Sequence, residues 1–316
     1  MKLLVVKLGA LGDFVQALAA MRKVREAHPG AEITLLTTAP FRALAEASPY
    51  VDRVWTDGRP KGWKAHLDLF RRLRREGFAR VYDLQTSDRS SGYRWGFFPR
   101  FPEWSGIAPG ASHPHANPRR DFMHTLERQA EQLKDAGVWP DAPTAPGTAP
   151  GPDLSWILND DRPERRPDAF GLTTPYALLI PGGSAHRPGK RWPVQAYAAL
   201  AQALRARGLT PAVLGGPAEA ELARAIPAAA DLTGRTDFAQ IAALGARAAL
   251  AVGNDTGPTH LVAAAGAPTL TLFSHDSDPA LCAPRGRRWA VLRRNPLAEL
   301  SVEEVLEAAD TLLGNA

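Results

Sequence analysis

The chain has 316 residues, 45% hydrophobic and 22% charged, which fits a soluble globular protein long enough for two domains with separate cores. It lacks the apolar run of about 18 residues that a membrane-spanning helix needs, and its single cysteine, Cys282, excludes an intrachain disulfide and fits a reducing cytoplasm. The formal charge of +5 favours acidic partners, yet the basic runs are not interleaved with aromatics, so no nucleic-acid partner is expected, whereas an anionic membrane surface fits.

Strands and helices alternate along the chain. The opening KLLVVKLGALGDF, interrupted by Lys7 and Asp13, reads as a first strand over Lys2–Lys7 rather than a signal peptide. Phe14, Val15, Leu18, Met21 and Val24 then recur at helical spacing, predicting a helix over 13–27. Strands are predicted at Glu32–Thr37, Arg53–Thr56 and Arg80–Leu84, with helices near 40–47, 63–76 and 122–136. From about 140 to 170 the composition turns to Pro, Gly and Asp, which reads as a linker. The alternation then restarts with strands at Tyr176–Ile180, Pro211–Leu214, Ala248–Val252 and Thr269–Phe273. Helices are predicted near 194–206, 217–225 and 237–244, from Pro258, and near 302–313. This predicts an α/β protein with two Rossmann-like domains, 1–150 and 173–300, a linker at 151–172 and a closing helix within 301–316.

Three turns carry the candidate chemistry. In the run Gly253 to His260, a strand is expected to break at a glycine and an acid and restart as a helix. The helix N-terminus so exposed offers backbone N–H groups and a dipole suited to phosphate, although Asp255 and Thr256 would equally serve as plain helix caps. Gly9 to Asp13 repeats the pattern after the first strand, with Asp13 either an N-cap or a carboxylate at a strand's C-terminal edge. This second turn lacks the third glycine of a dinucleotide fingerprint. The third, Pro181 to Pro193, is not a P-loop, because that motif would need Gly at 184 and Ser or Thr at 191, where Ser184 and Arg191 stand. Its small residues still admit close backbone approach, and Ser184, Lys190 and Arg191 suit a diphosphate, against the plainer reading of a solvated loop. No metal centre is expected: the only close histidine pair, His113 and His115, brackets a proline in a loop-like segment.

With these turns in place the sequence resembles the lipopolysaccharide heptosyltransferases of glycosyltransferase family nine, over nearly its whole length. The matching motifs are Val6-Lys7 through Gly12-Asp13, Asp83-Leu84-Gln85, Lys190 to Pro193 (Lys-x-Trp-Pro) and Asp255-Thr256-Gly257-Pro258-Thr259-His260. The resemblance implies a GT-B fold, two Rossmann-like domains with parallel sheets facing a central cleft. It also implies inverting transfer, without metal or other cofactor, of a sugar from a nucleotide-sugar donor, ADP-heptose, to a lipid-linked saccharide acceptor such as the lipopolysaccharide inner core. By that resemblance Asp13 is the general base and Lys190 neutralises the departing diphosphate. Ser184, Thr256 and Gly257 bind phosphate oxygens, Asp255 holds donor-sugar hydroxyls and His260 orients the site. Lys7, Gly12, Gln85 and Arg89 are expected to contact donor or acceptor. The implied location is cytoplasmic, peripheral at the inner membrane face.

The chain departs from the family pattern in two places. Leu18-Ala19-Ala20 stands where the family often has a proline, and Ser274 to Pro279 replaces a Gly-Pro-Thr-Asp-Pro loop. The segment 87–120, where acceptor contacts are expected, holds Arg89, Arg94, Trp95 and Trp104 without a recognisable pattern. Competing readings are a nucleotide-sugar epimerase or hydrolase on the same fold, a non-catalytic sugar or nucleotide binder, and a hinged solute-binding protein.

Overall fold

The computed structural model describes residues 1–184 and 186–314; Ala185 in the small-residue turn, and Asn315 and Ala316 at the end of the expected closing segment, lie outside the described residues. The chain divides into two compact units, Met1–Pro150 and Gly151–Ala316.

In the first unit the order is β1 (Lys2–Val6), α1 (Leu11–Ala27), β2 (Glu32–Leu36), α2 (Arg42–Ala47), β3 (Arg53–Trp55), α3 (Gly62–Glu76), β4 (Arg80–Asp83), α4 (Asp88–Gly92), β5 (Glu103–Gly106), β6 (His113–Pro114) and α5 (Thr125–Asp135). The second unit opens with β7 (Tyr176–Ile180), α6 (Val194–Ala206), β8 (Thr210–Val213), α7 (Ala220–Arg224), β9 (Ala230–Asp231) and α8 (Phe238–Gly245). It continues through β10 (Leu250–Asn254), α9 (Gly257–Ala265), β11 (Thr269–Phe273), α10 (Pro279–Cys282), β12 (Trp289–Arg293) and α11 (Val302–Leu313).

Each unit holds a six-stranded sheet, ordered β3-β2-β1-β4-β5-β6 in the first and β12-β11-β10-β7-β8-β9 in the second. Every pairing inside the sheets is parallel. The strand order reverses between β1 and β4 in one sheet and between β7 and β10 in the other. At such a switch point the connections leave toward opposite faces and open a crevice beyond the strands' carboxyl ends. The register sets Val6 beside Asp83, and Ile180 beside Gly253, so paired strands end together at each crevice.

The central strands are apolar throughout because helices cover both faces. Leu4, Val6, Trp55, Leu69, Leu73 and Trp104 belong to one core, and Leu179, Trp192, Leu200, Val252, Leu270 and Val305 to the other.

Several boundaries differ from the sequence reading. The strand expected at Ala248–Val252 runs through Gly253 to Asn254. Gly253 is required there by packing, since a Cβ would lie 2.4 Å from Thr259 Oγ1 and 2.8 Å from Ile180 Cβ. Helix α1 starts at Leu11, two residues early, so Asp13 lies inside its first turn and is not its N-cap. Residues 151–172, read as a linker, contain 3-10 turns at Ser155–Asn159, Pro163–Arg165 and Pro167–Phe170 that bury Ile157 and Phe170. Strands β5, β6, β9 and β12 escaped the sequence reading because they are short or lie at sheet edges, where apolar patterning is weak.

Candidate active site

At the first switch point, the chain leaves β1 through Lys7 and Leu8 and turns at Gly9, whose φ of +114° is a backbone conformation that side-chain-bearing residues rarely adopt. Phe14 and Phe41 stack with ring centroids 4.4 Å apart and pin the start of α1. Asp13, exposed in the first helical turn, makes no capping bond. Its carboxylate stands near the positive end of the helix dipole.

Cations surround that carboxylate. Lys7 is 3% exposed and donates from Nζ to the Leu84 carbonyl at 3.1 Å. Burial pushes the Lys7 ammonium down to about 8; Asp13 and Asp83 oppose the shift and Arg128 adds to it. Arg128 on α5 likewise feels Asp13: burial and the neighbouring Arg120 disfavour its charge, while Asp13 and Asp121 favour it. Asp83, fully buried at the end of β4, is pushed up to about 6 by burial, against the backbone N–H groups of Thr86 and Gln85 and the charge of Lys7. Its Oδ1 accepts from Gln85 N at 3.1 Å and Thr86 N at 3.0 Å. These bonds hold Thr86 at a φ of +46°, an uncommon backbone state for a β-branched residue.

Gln85 uses its Oε1 to accept from Leu8 N at 2.8 Å, which ties the turn after β1 to the turn after β4. Gly12 is half-buried beside Asp13, and Arg89 is exposed on α4. Trp104 is buried in the core. Trp95 pairs with Phe101, which lies just before the N-terminal end of β5, so it belongs to the opposite edge of the sheet from Asp13. Arg128 is the residue that sequence reasoning missed here: α5 follows the last strand, and no local signal links it to the first turn of α1.

The second switch point is organised by Asn254, fully buried at the end of β10. Its Nδ2 donates to the carbonyls of Pro181 at 2.8 Å and Gly182 at 3.1 Å. Its Oδ1 accepts from Trp192 N and Tyr197 Oη, both at 3.1 Å. One side chain therefore fastens both ends of the 181–193 loop. Trp192 adds a second anchor: its ring is buried against Tyr197 and its Nε1 donates to the Leu300 carbonyl at 2.9 Å. Lys190 is thus held two residues from a fixed point.

Lys190 Nζ donates to Asp255 Oδ2 at 2.6 Å, and Ser277 Oγ donates to the same oxygen at 2.6 Å. His260 Nε2 stands 3.5 Å from Asp255 Oδ1. Burial alone would raise the Asp255 carboxyl, but His260, Lys190 and Ser277 together hold it well below the usual carboxylate range. Thr256 occupies the N-cap position of α9 with no side-chain capping bond, so the helix start is not closed by its own side chain. Gly257 and Pro258 open the helix, and Thr259 turns its hydroxyl back to the Asn254 carbonyl at 2.8 Å. Ser184 is exposed in the preceding loop.

Ser277 belongs to the loop that departs from the family pattern, and its bond to Asp255 was not legible from the motif. Asp276 of the same loop crowds Gly189, where a Cβ would lie 2.8 Å from Asp276 Oδ2. The His113 and His115 pair separates: Nε2 of His113 stands 3.8 Å from Glu103, and Nε2 of His115 stands 3.5 Å from Glu131.

The sequence profile of glycosyltransferase family 9 (heptosyltransferase) matches residues 66–308. The chain is 25% identical over 300 residues to the lipopolysaccharide core heptosyltransferase OpsX of Haemophilus influenzae, covering 89% of this chain and 81% of that protein. Its fold is similar to that of the Escherichia coli ADP-heptose lps heptosyltransferase II, with a TM-score of 0.81, 22% identity and coverage of 99% and 98% of the two chains. It is also similar to the E. coli heptosyltransferase WaaC solved with ADP, with a TM-score of 0.76, 21% identity and full coverage of both chains. The chain belongs to glycosyltransferase family 9 and is a glycosyltransferase of the two-domain GT-B fold.

Proposed function

We propose that the protein transfers a heptose, with inversion, from ADP-heptose to a lipid-linked saccharide of the lipopolysaccharide inner core. The observation that carries this reading is the constellation of Lys190, Asp255, His260 and the start of α9 at one switch point. The other sheet carries an exposed carboxylate, Asp13, at its own switch point. The family membership and the lipopolysaccharide-core relative support the substrate class.

In this mechanism Asp13 accepts the proton of the acceptor hydroxyl as that oxygen attacks the anomeric carbon. The bond from that carbon to the diphosphate oxygen breaks, and the negative charge passes to the departing nucleoside diphosphate. Lys190 meets that charge, together with the N–H groups at Thr256 and Gly257 and the Ser184 hydroxyl. Asp255 holds Lys190 in place through the 2.6 Å bond, with Ser277 and His260 fixing the carboxylate in turn. That engagement favours a positioning role for Asp255 over contact with sugar hydroxyls. Cationic side chains and backbone dipoles supply the leaving-group stabilisation, so the reaction is expected to run without a divalent metal.

The test is a transfer assay with ADP-heptose and a lipid-linked inner-core acceptor in the presence of a chelator, with the anomeric configuration of the product read by NMR. Inverted product formed at an undiminished rate supports the reading. Release of ADP or epimerised donor without acceptor would replace it by the hydrolase or epimerase alternative.

A further inference from the structure

Among the described residues, Met1, Phe122, Leu158 and Trp289 are large apolar side chains exposed singly, whereas five others are grouped. Trp63, Leu67, Trp95, Phe98 and Phe101 all lie on α3 or on the segment just after α4. Trp63 is 72% exposed, Trp95 63% and Phe98 56%, values that a folded core does not explain.

These residues form one surface. By helical spacing Trp63, Leu67, Phe70 and Arg74 fall on the same side of α3. Phe70 packs where a Cβ on Gly96 would lie, at 3.0 Å, which joins that side of the helix to the 3-10 turn Tyr93–Phe97. Beyond the turn, Phe101 gathers Trp95 and Phe98 at ring-centroid distances of 6.0 and 6.2 Å. A groove of about 740 Å³ opens beside it, with Phe78 and Phe97 among its apolar lining and Arg74 and Arg100 also lining it.

The charge around these rings is positive. Helix α3 carries Lys64, Arg71, Arg72, Arg74 and Arg75 against Asp68 and Glu76. Glu76 is already bonded to Lys2 and Arg53, and Glu103 at the groove's edge to Arg80. Arg94 stacks over the Phe101 ring at 4.2 Å. Arg71 and Arg72 are paired with Asp68 and Asp57, but aromatic rings set beside Lys64, Arg74, Arg75 and Arg100 match the headgroup region of an anionic bilayer, where rings settle at the interface and each cation gains from acidic lipid. Among the described residues no helix is long and apolar enough to cross a membrane, so a lipid-borne substrate has to be met at a surface.

We propose that this flank of the first unit, from Trp63 to Phe101, docks the enzyme on an anionic phospholipid bilayer. The proposal rests on the lipid-linked acceptor put forward above. The flank is long: α3 begins at the carboxyl end of the sheet and its 15 residues extend roughly 22 Å toward the opposite edge, where Trp95 and Phe101 lie.

The test is sedimentation of the full chain with vesicles of phosphatidylglycerol and phosphatidylethanolamine, compared with vesicles of phosphatidylcholine alone. The pairs Arg74→Ala with Arg100→Ala and Trp95→Ser with Phe98→Ser change exposed side chains. The arginine pair is expected to weaken binding to anionic vesicles about 30-fold. The aromatic pair is expected to weaken it by about tenfold or more. Both should leave transfer to a delipidated, water-soluble acceptor unchanged. Absent wild-type binding, binding that ignores lipid charge, or variants that bind like wild type would each overturn the docking surface. A wild-type dimer that dissociates in the aromatic pair would assign the face to a second copy instead. Failure of transfer to the soluble acceptor in the wild type would count against the proposed reaction, not against the surface.

Discussion

The two switch points share a position in their sheets and differ in how they hold charge. Beyond β1 and β4 an exposed carboxylate, Asp13, stands among cations that burial has weakened, Lys7 and Arg128. Beyond β7 and β10 the carboxylate is the buried partner, and Asp255 spends its oxygens on Lys190, Ser277 and His260. The first arrangement leaves the carboxylate exposed in the first turn of α1. The second uses its acid to aim a cation. One topological rule thus places both carboxylates, and the local partners set them apart, which is the basis of the proposed roles of base and anion receptor.

The largest effect that would break this comparison belongs to Asp13. Asp13→Asn is expected to lower kcat by about 10²–10⁴-fold while leaving donor affinity intact. Turnover near wild type would remove the base from the first switch point. On the second, Lys190→Ala should lower transfer by about 10²–10³-fold and weaken ADP binding as well. Equal affinities in the two variants would erase the division of labour.

Asn254 sharpens the comparison on the side of stability. Its amide serves four partners at full burial, so Asn254→Ala strands groups at both ends of the 181–193 loop. A loss of about 3 kcal/mol is expected by urea unfolding, with ADP binding weakened in parallel.

The first switch point has its own pH signature. Asp83 titrates at about 6 in the folded protein, above its ordinary value of 3.8. The stability contributed by its protonated form is therefore fully present below 3.8 and lost as pH rises through about 6. From pH 4 to 7 this group should cost the fold about 3 kcal/mol, a slope that Asp83→Asn should flatten. Parallel profiles for the two proteins, measured by urea unfolding, would mean that Asp83 is ionised without penalty.

The smallest effect is expected at Ser277. Ser277→Ala removes one of the two bonds to Asp255 Oδ2 and should reduce kcat about tenfold or less, with the loss appearing at saturating donor.

Much of this was legible in the sequence for a physical reason. Central parallel strands are continuous apolar runs, and the turns that follow them use glycines, acids and cations in short local patterns, as at Gly12-Asp13 and Lys190 to Pro193. What escaped reading is either marginal or non-local. The two-residue strands β6 and β9 carry too few residues to show a period. Gly253 looked like a strand break but is a packing glycine under Thr259, which only the pairing of β10 with β7 reveals. Arg128 and Ser277 reach their partners across long sequence separations. The Leu84 carbonyl that holds Lys7 also lies far along the chain, whereas the favourable charges of Asp13 and Asp83 on Lys7 accord with its place just after β1.

The most direct test of the central claim compares Asp13→Asn with Lys190→Ala by calorimetric titration of ADP-heptose, alongside steady-state transfer. Asp13→Asn is expected to bind donor like the wild type but fail to transfer, whereas Lys190→Ala loses both. Donor binding lost in Asp13→Asn and kept in Lys190→Ala would contradict it.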